Sequence, residues 1–391
     1  VSLIRRLTGH PEQRAGADPE VVAVLSERRS NRYVNSGVLV NDKTALRHSA
    51  VWACVRVIAS TISTMPVEVV RSRPDGSVDV LPQPALLRRP DGVQTQATWT
   101  YQVVTSLLLR GNVYGEIMSR DPVSGYPTAV RLIHPDYVEP CVNDRGEVYL
   151  QVRQGQGSTA MKPRTVSTAD TWHVGAYTGP GSPIGMSPIN YAAQSIGVGL
   201  AAEKFSATWF GNGAHPSSVL QNKAQLTSEQ ANEVKRRWRS SVDSGDVAVL
   251  GGDWSWQQVQ VAPEESQFLE AQEWSVSQIA RVFGVPVELI GGSTKGSSIT
   301  YATVEGRNAA FLQFGLALWL RTLEDALSFE LPGTQRVRFR TDGLLRADTS
   351  ARFASYATAL EAGFLTVNEV RASEDLPPFE DIAQPDPEED L

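Results

Sequence analysis

Residues 279–292 read Ile-Ala-Arg-Val-Phe-Gly-Val-Pro-Val-Glu-Leu-Ile-Gly-Gly, and this stretch decides the fold. Its first part is the end of a helix, stopped by Gly284 and Pro286. Glycine accepts the left-handed backbone of a helix end, and proline cannot extend a helix. A glycine-rich loop follows, over residues 285–299. A second long helix comes next, over residues 300–328, where Val304, Phe311, Leu312, Leu316, Trp319, Leu323 and Leu327 form one apolar stripe. Gly306 and Gly315 lie inside it. Each costs about 1 kcal/mol against alanine, so both are expected places of bending or close packing. The order helix, glycine loop, helix holds almost no catalytic residue types and points to mechanical guidance rather than chemistry.

Working upstream, residues 264–283 form the helix that enters the loop. An earlier helix starts at Ser187-Pro188, with serine as its cap and proline at its first position, and runs to about Phe210. Between the two helices, residues 215–262 read as a small βαββ unit. Val219 and Leu220 mark a strand. Thr227 and Gln230 form a capping box that leads a helix to Arg239. Residues 247–250 and 254–261 read as a hairpin around 251–253. Two helices flanking a compact unit describe a stalk with a tip.

The body before the stalk opens with a helix from Ser49, in which Val51, Trp52, Val55, Ile58, Ala59 and Ile62 recur at helical spacing until Pro66 stops it. A strand over 67–70 and a turn over 74–76 follow, then a helix over 98–110 that ends at Gly111. Short strands are expected over 113–119, 129–133, 137–142, 148–152 and 171–174. Together these give an α+β region with an antiparallel sheet. After the long helix come a strand over 337–340 and helices over 348–363 and 367–374. Residues 1–41 read as an arm with a helical patch at 20–29, and residues 377–391 as a frayed acidic, proline-rich tail. The first residue is Val1 rather than Met, so either the start is processed or the numbering begins inside a longer chain.

The 391 residues are 41% hydrophobic and 20% charged, enough for a real core and for two or three domains. The two cysteines, Cys54 and Cys141, are too few for a disulfide framework and suit a reducing compartment. No signal-peptide pattern opens the chain, and no run reaches the ~18 apolar residues of a membrane span. The formal net charge of −7 argues against a strong nucleic-acid grip, which runs on lysine and arginine. It does not argue against a conduit, because an acidic wall lets a polyanion slide.

Candidate chemistry is sparse. Residues 291–298, Gly-Gly-Ser-Thr-Lys-Gly-Ser-Ser, hold the letters of a phosphate loop in the wrong order: Lys295 precedes Gly296 and a helix, not a strand, comes before. The loop residues Gly291, Gly292, Ser293, Thr294, Lys295 and Gly296 read instead as a flexible projection, with Lys295 a transient phosphate contact. His10, His48, His134, His173 and His215 are scattered, and no metal or cofactor site is expected. No Gly-x-Ser-x-Gly elbow is present. Glu264 and Glu265 sit at a helix start, where the helix dipole explains them. Lys235, Arg236, Arg237 and Arg239 make the densest basic cluster, either a solvated face or a docking patch. Trp52, Trp99 and Trp319 lie on apolar helical faces, as core or subunit contacts. Trp254 and Trp256 alternate on a strand.

Several stretches, taken in order, resemble the portal proteins of tailed bacteriophages with HK97-like capsids. They are residues 210–216 (Phe-Gly-Asn-Gly-Ala-His-Pro), Val249-Leu250, Leu269-Glu270, residues 342–348 (Asp-Gly-Leu-Leu-Arg-Ala-Asp), residues 368–371 (Asn-Glu-Val-Arg) and Leu376-Pro-Pro378. The resemblance implies a ring, usually of twelve subunits, at one capsid vertex of the virion, assembled in the host cytoplasm. Such a ring packages and ejects double-stranded DNA. It meets major capsid protein, scaffold, the terminase large subunit and a head–tail adaptor, and it carries no cofactor. It also implies an arm (1–48), an α+β wing (49–186), a first stem helix (187–213), a clip (214–262) and a second stem helix (263–284). A tunnel loop (285–299), a long helix (300–329), a wing strand return (330–347), crown helices (348–376) and an acidic tail (377–391) complete the list. Under that resemblance, residues 291–296 face DNA, Glu265 and Glu273 face the channel or a neighbour, and the basic cluster docks partners. The rival readings are an enzyme on an α+β scaffold, for which no convergent acid, base or nucleophile set exists, and another non-catalytic virion or adaptor protein.

Overall fold

The computed structural model describes residues 32–143, 145–153, 163–211, 218–222, 227–244, 254–258, 265–292, 301–345, 349–374 and 376–379. The expected helical patch at 20–29, the strand at 247–250 and most of the loop at 293–299 lie outside the described residues. By its contacts the chain forms two compact units. One joins Ala53–Pro188 to the described residues from Phe283 onward; the other joins the described part of Ser30–Trp52 to Ile189–Val282.

The chain opens with the short antiparallel pair β1 (Arg32–Tyr33) and β2 (Leu39–Val40) and a helical turn, α1 (Asp42–Ala45), capped by Asn41. Helix α2 (Ser49–Thr64) buries Val51, Val55, Ile58, Ala59 and Ile62, as their spacing requires. Trp52 departs from that expectation. It sits at the edge of the stripe and is 49% exposed. β3 (Val67–Ser72) turns at Gly76 into β4 (Val78–Leu81), a strand the sequence hides because its face toward solvent keeps two valines.

After the turn α3 (Ala85–Arg88), helix α4 (Gln96–Arg110) is capped by the Thr95 hydroxyl and ended by Gly111 at φ 67°. It buries Trp99, Val103, Val104, Leu107 and Leu108. Six strands follow: β5 (Asn112–Arg120), β6 (Pro127–Ile133), β7 (Val138–Val142), β8 (Val148–Val152), β9 (Arg164–Val166) and β10 (Thr171–Gly175). They make two three-stranded antiparallel sheets, β10-β5-β6 and β7-β8-β9, rather than the one expected. Tyr114 of β5 joins Val138, Leu150, Val152 and Val166 in a shared apolar cluster. Short strands of alternating polarity do not encode which neighbour they pair with, so the split is invisible locally.

The first stalk helix is broken once, into α5 (Pro188–Tyr191) and α6 (Ala193–Gly211). Ile189, Ala192, Ala193 and Ile196 stay buried across the break, so the apolar spacing does not register it. The Ser187 hydroxyl donates to the Leu109 carbonyl at 2.8 Å. β11 (Ser218–Asn222), α7 (Ser228–Ser244) and β12 (Trp254–Gln258) follow, and β11 pairs with β12 antiparallel, Leu220 opposite Trp256. Thr227 and Gln230 cap α7 reciprocally, at 3.1 and 3.4 Å. Helix α8 (Glu265–Phe283) leads to the loop.

The long helix has three parts: α9 (Tyr301–Ala310), a π-helical stretch (Phe311–Leu316) and α10 (Ala317–Phe329). β13 (Gln335–Phe339) then pairs with β3, giving a third sheet in the order β13-β3-β4. The Glu324 carboxylate and the Ser328 hydroxyl of α10 accept the Phe339 and Val337 N–H groups, both at 2.9 Å, and so fix this strand to the helix. α11 (Asp342–Leu345), α12 (Thr349–Glu361) and α13 (Val367–Ser373) end the chain of elements. The start of the expected frayed tail is held instead. Arg371 donates to the Pro377 carbonyl at 2.8 Å, and Asn368 accepts the Phe379 N–H at 2.6 Å. Among the described residues no helix is long and apolar enough to cross a membrane.

Candidate functional site

The loop that follows α8 is rooted by a glycine pair. Gly284 ends α8 at φ 67°, and a Cβ placed on Gly315 of the π-helical stretch would meet the Gly284 carbonyl oxygen at 2.5 Å and the Phe311 ring at 2.7 Å. No side chain fits there, so the two backbones touch. π-helical stretches inside α-helices are frequently found at functional sites. Gly306 is different from the expectation of close packing: a Cβ there meets nothing within 4 Å.

Phe283 and Val285 are buried, which pins the chain as it leaves α8. A 3₁₀ turn, Val287–Ile290, comes next. Gly291, at φ 81°, donates to the Glu288 carbonyl at 3.2 Å, and Gly292 to the Val287 carbonyl at 2.9 Å. Glu288 also lies 3.9 Å from Arg307 of α9, so an ion pair links the start of the loop to the helix after it. Gly291 and Gly292 therefore stand at the mouth of the loop. Ser293, Thr294, Lys295 and Gly296 lie outside the described residues.

Glu273 is exposed on α8, and Glu265 opens that helix. Lys235, Arg236 and Arg237 are exposed on α7, and Arg239 belongs to the same helix. The cluster is less basic than it reads. Glu233 pairs with Arg236 and, at 2.8 Å, with Arg237.

Sequence reasoning missed one polar knot. His48 is buried at the start of α2, and its Nδ1 accepts the Ala50 N–H at 3.2 Å, so the imidazole acts as the helix cap. Glu203 of α6 lies 3.7 Å from Nδ1. A Cβ on Gly199 would meet His48 Nε2 at 2.1 Å and the Ser275 hydroxyl at 2.7 Å, so glycine alone admits the ring. Burial lowers the His48 pKa, and the Glu203 charge opposes that shift. A second knot centres on buried Asn112. Its amide oxygen accepts the Gly185 N–H at 2.8 Å and faces His173 Nε2 at 3.0 Å, while its amide nitrogen donates to the Gly185 carbonyl at 2.7 Å. Nothing local in the sequence signals either, because their members lie far apart along the chain.

Neither cysteine is poised as a nucleophile. Burial pushes the Cys54 thiol up to about 12 and raises that of Cys141. Among the described residues no group of three or more His, Cys, Asp and Glu could hold a metal ion.

A family model for phage portal proteins matches residues 49–375. The chain belongs to the phage portal protein family. A probable portal protein of Streptomyces phage phiC31 is 32% identical to this portal protein over 365 residues, covering 88% of this chain and 78% of the relative. The fold agrees with that of an HK97 family phage portal protein from Corynebacterium diphtheriae, with a TM-score of 0.59 at 16% identity, over 80% of this chain and 99% of the other. A chain in the neck of a native gene transfer agent particle, computed with C12 symmetry, matches with a TM-score of 0.56 at 21% identity, over 92% and 99% of the two chains. The mixed helix and strand architecture of this portal protein is thus that of known portal structures. The family is structural and located in the virion.

Proposed function

We propose that this portal protein forms a ring, of twelve copies in the capsid, around a channel through which double-stranded DNA is packaged and later ejected. The observation that carries this reading is the family match along residues 49–375. The twelvefold symmetry of the related particle neck supports the copy number. In this reading residues 49–186 and 330–347 are the wing and 187–213 and 263–284 the stem. Residues 214–262 are the clip that meets terminase and then the head–tail adaptor, and 348–376 the crown. Capsid protein and scaffold hold the ring at its vertex.

The tunnel loop, residues 285–299, reaches the DNA. The glycine contact between Gly284 and Gly315 and the Glu288–Arg307 pair give it a rigid root. In the same reading Gly291 to Gly296 face the DNA, with Lys295 touching phosphates in passing. A channel must not hold a polyanion tightly, and twelve copies at −7 give about −84 per ring. Glu265 and Glu273 contribute to that charge at the bore or at a subunit seam. Lys235, Arg236, Arg237 and Arg239 mark the docking end. ATP hydrolysis belongs to the motor partner.

Deleting residues 292–296 tests the loop's role. Ring assembly is expected to persist while DNA packaging or retention falls. Loss of assembly with the deletion would make the loop a subunit contact instead.

A further inference from the structure

The last described residues, Leu376-Pro-Pro-Phe379, lie on helix α13 as a bound peptide lies on a receptor. α13 ends at Ser373, and the Leu376 N–H donates to the Arg371 carbonyl at 2.8 Å, so the chain folds straight back. Two side chains then hold it. Asn368 and Arg371 are three residues apart and share one face of α13. The Arg371 Nε donates to the Pro377 carbonyl at 2.8 Å. The Asn368 amide oxygen accepts the Phe379 N–H at 2.6 Å, and its amide nitrogen donates to the Phe379 carbonyl at 3.3 Å. A side-chain amide carries a donor and an acceptor side by side, so it pairs with one residue of an extended chain as a neighbouring strand would. The Arg371 guanidinium also lies 5.9 Å from the centre of the Phe379 ring.

These hooks read backbone: a carbonyl for the arginine and, two residues on, an N–H and a carbonyl for the amide. Two consecutive prolines preset the extended shape, because each fixes its own φ and keeps the residue before it extended. An aromatic residue after them supplies the N–H that a third proline would lack, and a ring for the guanidinium. The hold is light. Leu376 is 49% and Phe379 55% exposed, and both prolines are exposed, so the segment buries little and opens at small cost. We propose that Asn368 and Arg371 form a peptide-binding site, closed in cis by the chain's own Leu376–Phe379, whose ligand in trans is an extended proline-proline-aromatic segment of a partner protein. A second copy of this chain is not the donor, because its own segment is tied to its own α13 in the same way. Binding in trans displaces the cis segment, so the residues after Phe379 lose their anchor in the same step. Those twelve residues, 380–391, carry six carboxylate side chains and no lysine or arginine. The site thereby couples partner binding to release of an acidic tail.

The test uses the full chain and a fluorescent peptide, Leu-Pro-Pro-Phe-Glu-Asp, read by anisotropy. Wild type, closed in cis, should bind it weakly. Phe379→Pro removes the N–H that Asn368 accepts and opens the site, so this variant should bind the peptide about tenfold tighter. Adding Asn368→Ala to the open variant should weaken binding about tenfold, and so should proline in place of phenylalanine in the peptide. Binding to the open variant no tighter than to wild type, or unchanged by Asn368→Ala, would overturn the site. Coincident thermal melts show that the variants fold. Hydrogen exchange supplies a check on wild type alone. At peptide concentrations that raise the anisotropy, the chain's own Phe379 amide should exchange faster. Peptide bound while that amide stays protected would place the ligand elsewhere and also overturn the site.

Discussion

At the residue scale, His48 couples packing to pH. Its neutral ring caps α2 through Nδ1, which places the ring proton on Nε2, toward Gly199 and Ser275. Protonation removes the acceptor and puts a positive charge at a helix start, where the dipole disfavours it. Among the described groups, Glu203 from α6 is the charge that opposes this, and α8 offers the hydroxyl of Ser275. The folded pKa lies below the ordinary 6.5, so the unfolded chain binds the proton more tightly. The stabilisation is therefore complete above about pH 6.5 and lost as pH falls below it. The variant His48→Asn keeps a good cap and cannot titrate. Wild type should lose thermal stability relative to this variant between pH 7 and pH 5. Parallel melting curves across that range would contradict the role. Carboxylates held low by hydrogen bonds, such as Asp121 and Glu369, titrate equally in both proteins.

At the element scale, the long helix holds two glycines that the sequence cannot tell apart. Gly306 faces open space, so Gly306→Ala should stabilise by about 0.5–1 kcal/mol through helix propensity. Gly315 touches Gly284 and Phe311, so Gly315→Ala should destabilise by about 1–3 kcal/mol through overpacking. Denaturant melts of the two variants check the contrast, and equal signs would refute the close approach. The same difference explains what was legible. The stripe of α2, the Thr227–Gln230 box and the glycine ends of α4 and α8 are local signals, and each is present where the residues placed it. The π-helical stretch, the break at Ala192 and the division of the strands into separate sheets depend on partners distant in sequence. So does the His48 knot, whose members come from residues 48, 199, 203 and 275. Of the candidate site, the loop's root was readable from Gly284-Val-Pro286, but its clamp against Gly315 was not. Asn368 and Arg371, read only as part of a family resemblance, have a plain physical role in tying residues 377–379 back to α13.

At the scale of the whole molecule, the chain belongs to a structural family of the virion, and its described groups are compatible with the guidance role proposed above. The thiols are held in their protonated form, the basic cluster on α7 is partly neutralised by Glu233, and the chain carries a net charge of −7. The most direct measurement is negative-stain electron microscopy, with light-scattering mass, of the chain co-assembled with its capsid and scaffold proteins. The account predicts rings with a central hole and a mass near twelve times 42.6 kDa for the isolated assembly. A compact particle of one or two chains, entering no ring even with those proteins present, would contradict it.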